Sequence, residues 1–190
     1  MKSLLLAAGL ATVATFAAAE PAKYNLDPSH SQIVFTYNHL GFSTTYGMFS
    51  GFEGEVMFDQ EAPENSSVSV TMPARSMFTG WEKRFEHFMS EDFFGADEDE
   101  VITFTSTGIN VTGEDTAEIT GDLTLNGVTK EVVLDAKLNQ AGEHPQAGKA
   151  WAGFDATTTL LRSDYELGKF APFVSDEVEV MISIEAGAAE

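Results

Sequence analysis

The 190-residue chain has no cysteine. That excludes disulfides, thiolate nucleophiles, cysteine-ligated zinc and redox dithiol pairs. Cations are scarce too: 10 Lys and Arg stand against 30 Asp and Glu, for a formal net charge of −20. Nucleic acid and anionic membrane are poor partners for this balance, because neutralising phosphate takes clustered Lys and Arg. No G-x-S-x-G elbow and no phosphate-cradling glycine loop occurs. The four histidines, His30, His39, His87 and His144, include no pair four residues apart, so there is no helical zinc motif. Beyond residue 19, no apolar run approaches the ~20 residues that span a bilayer.

Residues 1–19 have the composition of a secretory signal: Lys2 is the basic start, residues 4–16 are apolar, and residues 17–19 are alanines at a cleavage position. The expectation is export to the periplasm, with residues 20–190 as one domain. Without cross-links, that domain must draw its stability from packing.

What the chain does have is period-two alternation of apolar and polar residues. It recurs in eight segments: 31–43, 44–59, 66–74, 101–111, 116–125, 128–139, 149–162 and 176–186. Several exceed the usual strand length, which predicts an all-β, eight-stranded antiparallel barrel. Asn126-Gly127 supplies the two positive-φ positions of a type I′ turn. This fixes a register in which Leu125 faces Val128, Ile119 faces Leu134, and Asp122 faces Glu131. Facing carboxylates are tolerable only in water, so one side of this hairpin is wet and the other dry. An outer-membrane barrel would reverse the sides and crowd glutamates into a narrow lumen, at high electrostatic cost.

One segment breaks the pattern. In residues 81–90, Trp81, Phe85, Phe88 and Met89 share a helical face, and Thr79 with Glu82 has capping-box spacing. This short amphipathic helix either covers the open end of the barrel or completes its core. His39 shares a strand face with Ile33, Phe35 and Tyr37, whereas His30 lies in the entry turn. Nine extended residues hold the two histidines roughly 30 Å apart on opposite faces, so they cannot share an ion. The surplus of apolar bulk, including 15 Phe and 7 Met, suits a filled core or an elongated cavity for a flexible hydrocarbon.

The blocks Y-N-L-D-P-S-H-S-Q-I-V-F, H-L-G-F-S, G-M-F-S-G-F-E-G, S-E-D-F-F, I-T-F-T-S-T, G-D-L-T-L-N-G-V-T-K-E-V and L-R-S-D-Y-E-L-G, with S-D-E-V-E-V after them, closely resemble the YceI-like family of bacterial periplasmic proteins. They span about residues 23–186. The chain departs from the family pattern at Phe85 and at Asp99-Glu100. The resemblance implies an extended lipocalin-like barrel whose pore holds a polyisoprenoid, such as an isoprenoid quinone or a polyprenyl phosphate. It implies no catalysis and no cofactor beyond that lipid.

On this reading the candidate pore residues are Phe35, Tyr37, His39, Phe52, Phe58, Phe85, Phe88, Met89 and Phe154. Arg162 with Asp164 would hold a headgroup at the rim or close the barrel end as a salt bridge. A transient contact with an inner-membrane donor and a homodimer are both compatible with carriage. Two rivals remain at this stage: an enzyme using His39 as base in the same pocket, and a solid-core interaction module.

Overall fold

The computed structural model describes residues 20–189. The signal sequence read from residues 1–19 lies outside the described residues. Ten strands are formed. The first five are β1 (Ala22–Leu26), β2 (Gln32–His39), β3 (Ser43–Phe49), β4 (Glu53–Phe58) and β5 (Ser67–Pro73). The others are β6 (Val101–Val111), β7 (Thr116–Leu125), β8 (Val128–Glu143), β9 (Ala150–Leu161) and β10 (Glu177–Ala188). One helix, α1 (Glu82–Phe88), lies between β5 and β6.

The ten strands make eight staves of an antiparallel barrel. β1 and β2 lie end to end along one edge of β10, with Leu26 opposite Ala186 and Gln32 opposite Ser183. β3 and β4 form the neighbouring broken stave, pairing with β2 and β1 respectively. β4 then continues through β5, β6, β7, β8 and β9 back to β10, which closes the ring. Segment 44–59, expected as one strand, divides at residues 50–52, where Gly51 has φ of 66°. The chain there leaves the ladder and drives Phe52 to 1% exposure.

The other break, at residues 27–31, is an Asx turn. Asp27 Oδ1 accepts from the Ser29 amide at 2.9 Å, and Oδ2 lies 2.7 Å from His30 Nδ1. The Ser29 hydroxyl and then His30 pull the Asp27 carboxyl down to about 2, while the hydrogen bond to Asp27 raises His30. His30 therefore stabilises the fold fully below 6.5 and loses that contribution as pH rises through its raised value; Asp27 contributes fully above 3.8 and loses it as pH falls toward 2. The turn is tightest between those limits. Asp27→Asn should return the His30 midpoint, followed by NMR, to its ordinary value; an unmoved midpoint would contradict the pairing.

The β7–β8 hairpin has the register expected from Asn126-Gly127. Leu125 pairs with Val128, Ile119 with Leu134 and Asp122 with Glu131, and the turn residues have φ of 52° and 72°. Elsewhere simple alternation fails at two bulges. The register shifts between Ser106 and Gly108 in β6, so Ile102 and Phe104 face inward before it and Ile109 and Val111 after it. A second shift follows Leu138 in β8. Each extra residue reverses the facing of everything beyond it and bends the stave.

Helix α1 begins at Glu82 with Trp81 as N-cap and no side-chain cap. The expected Thr79–Glu82 capping box does not form: the Thr79 hydroxyl donates to Trp81 O at 2.9 Å instead. The helix segment and the loop of residues 162–176 flank the same end of the barrel. No helix among the described residues is long and apolar enough to cross a membrane.

Candidate functional site

The inward residues of the staves do not interlock. They surround a cavity of about 1240 Å³ whose lining reaches from His39, Arg84 and Phe170 at the helix end to Pro63, Gly113 and Thr116 at the other. Eleven residues of β6 at ~3.3 Å each, tilted about 40°, give a barrel roughly 28 Å tall. Val70, Leu123, Leu138, Leu160, Val178 and Ile182 all face this space and are only partly buried, although they belong to the apolar interior. A close-packed core leaves few voids larger than water. A solid-core barrel is therefore not what this sequence builds.

Phe35, Tyr37, Phe52, Phe58, Phe88 and Phe154 line the cavity, as does His39 at its rim. Phe35 lies across Gly47, where an added Cβ would overlap its ring, and its ring centroid is 5.6 Å from that of Phe49. Glycine at this position lets the β2 aromatic lie flat over β3. At the far end Phe58 meets Phe154 edge-on at 5.4 Å and Tyr24 at 5.8 Å. Trp151, on the opposite face of β9, points outward and donates to Glu185 Oε2 at 2.8 Å.

Three candidates fall elsewhere. Phe85 is not part of the lining: Arg75 stacks on its ring at 5.3 Å. Met89 is buried outside the cavity as part of the core that seats α1. Of the four residues expected on one helical face, Trp81 and Phe88 line the cavity, whereas Phe85 and Met89 do not. Asp164 is exposed and makes no ion pair with Arg162. Arg162 instead donates to the carbonyls of Leu167, Lys169, Val174 and Ser175 and pins the loop of residues 162–176 over the barrel end. Burial lowers its pKa.

That loop supplies cavity residues that alternation could not reveal, because it has no period: Tyr165, Leu167, Phe170 and Phe173. Tyr165 is 2% exposed, its hydroxyl has no partner among the described residues, and burial pushes its phenol up. Lys83, Arg84 and Arg162 line the helix end with His39 and His87 beside them, whereas the lining carboxylates Glu114, Asp115 and Asp155 belong to the other half, where Lys137 also lines the cavity and pairs with Asp115 at 3.8 Å.

His39 has none of the surroundings of a general base. It is exposed, it pairs through its backbone with Val174, and no carboxylate lies in ion-pair range among the described residues. Asp27, His30 and Glu185 bring potential ligand atoms within 4.8 Å of one another on the outside of the barrel. All three already have structural work, in the Asx turn and in holding Trp151.

Residues 24–186 match the YceI-like domain. This chain belongs to the YceI-like family. Its YceI-like relatives include a UPF0312 protein of Ectopseudomonas mendocina, 42% identical over 187 residues and covering 97% of each chain. Protein YceI of Escherichia coli is 38% identical over 183 residues, covering 96% of this chain and 92% of the relative. Among solved structures, a Campylobacter jejuni YceI protein superposes with a TM-score of 0.73 at 29% identity, covering 80% of this chain and 90% of that one. A polyisoprenoid binding domain from Saccharophagus degradans shares the fold with a TM-score of 0.68 at 15% identity, covering 89% and 99% respectively.

Proposed function

We propose that this YceI-like protein is a periplasmic carrier that holds a long isoprenoid lipid, an isoprenoid quinone or a polyprenyl phosphate, in its barrel. The observation that carries this reading is the elongated cavity whose apolar liners remain half-buried against one another. Sheltering a hydrocarbon yields ~0.8 kcal/mol per methylene, so some fifteen enclosed carbons offset the ordering cost of binding. The structural relative from Saccharophagus degradans, described as a polyisoprenoid binding domain, supports the same ligand class.

Binding here works by desolvation and shape, without chemistry. His39 is exposed at the rim, with no carboxylate in ion-pair range among the described residues. The cationic lining near Lys83 and Arg84 favours a headgroup at the helix end, with the tail running toward Phe58 and Phe154. Delipidated protein should quench on titration with a long-tailed isoprenoid quinone and bind its tail-less analogue at least tenfold more weakly. Equal affinity for the two would overturn a tail-driven site.

A further inference from the structure

We propose that the rim of the cavity docks onto the surface of a lipid bilayer, with aromatic side chains entering the acyl region while the tail passes through. This rests on the carrier reading above. Twelve large apolar side chains are exposed among the described residues, and Leu40, Phe42, Trp81, Phe170 and Phe173 gather at the helix end. Phe42 is 89% exposed and Phe173 74%. They come from three separate connections, two of which are joined by a 3.0 Å hydrogen bond from Leu40 N to Phe173 O.

Four of the five, Leu40, Trp81, Phe170 and Phe173, also line the cavity, so exposed surface and lumen are continuous. From Phe170 the aromatic contacts run inward to Phe93 at 6.1 Å, to Phe88 at 5.5 Å and to Tyr37 at 6.2 Å. Leu40 and Phe170 hold φ of 58° and 68°. Glycine or asparagine usually fills such positions in turns facing water. Here bulky apolar residues occupy them.

A lip carried by three of the connections at this end fits a bilayer, since the hydrocarbon must cross it and each methylene led through water is unfavourable. What the rim offers the interface is aromatic side chains rather than net positive charge, since Lys169 is paired with Asp92 and Lys83 and Arg84 are flanked by Glu82 and Glu86. The body of the protein, at −20, is repelled by anionic lipid. Attraction is therefore apolar, and added salt should leave it unchanged or strengthen it.

The test uses lipid-loaded protein and phosphatidylcholine vesicles in a flotation assay. Phe42 lies outside the cavity lining, so Phe42→Asp loaded with lipid from detergent should keep wild-type lipid occupancy while its vesicle binding weakens about tenfold or more. Acyl-brominated phosphatidylcholine should quench Trp81 in a Trp151→Phe variant. It should spare Trp151, at the opposite end of the barrel, in a Trp81→Phe variant. Wild-type binding by Phe42→Asp, equal quenching of both tryptophans, loss of binding in high salt, or a rim that forms dimers and ignores vesicles would each overturn the proposal. Rim-dependent vesicle binding by protein that yields no extractable lipid would sustain docking and defeat the carrier reading instead.

Discussion

Phe35→Asp should empty the barrel of lipid and lower stability by about 4 kcal/mol or more. Phe35 is 9% exposed and lies over Gly47 beside Phe49, with Val180 opposite it on β10. Removing a buried phenylalanine costs about 3–5 kcal/mol, and the new carboxylate adds a desolvation cost. In a chain of this length that lowers the thermal midpoint by roughly 10 °C or more. Because unfolding alone would also release lipid, occupancy should be read on the folded fraction. Phe35→Leu, which keeps most of the apolar bulk, should retain lipid. A folded Phe35→Asp protein with unchanged lipid would contradict the assignment of this face.

Ala156→Trp should give the same lipid loss with stability unchanged or raised. Ala156 pairs with Ala136, and both line the cavity. Small residues facing each other at mid-height leave the lumen open. An indole added there enters space instead of displacing packed atoms, which is the cavity-filling route to stabilisation. Lipid occupancy should fall at least tenfold. Paired with Phe35→Asp, this variant separates blocking from unfolding, since only Phe35→Asp lowers stability. A midpoint that falls by several degrees would mean the position is already close-packed.

The residues that announce themselves in the sequence are those governed by local rules. Asn126-Gly127 dictates its turn, and the turn dictates the whole β7–β8 register. The alternation of Phe35, Tyr37 and His39 correctly places them on one face, and Phe154 rather than Trp151 faces the lumen. Where one inserted residue reverses the facing, as at Thr107, alternation alone gives no warning. Arg162 illustrates a different limit: its proximity in sequence to Asp164 suggests an ion pair, yet four loop carbonyls, brought near only by the fold, take its guanidinium. Tyr165, Phe170 and Phe173 were illegible for the same reason. Their place over the barrel end depends on that arginine and on a backbone bridge from Val174 to His39.

Native mass spectrometry of the protein purified from its native host tests the central claim most directly. The account predicts a folded species carrying one lipid, with adduct masses that differ by whole isoprene units and vanish in Ala156→Trp. A wild-type protein that is folded and monodisperse but carries only its own polypeptide mass would contradict it.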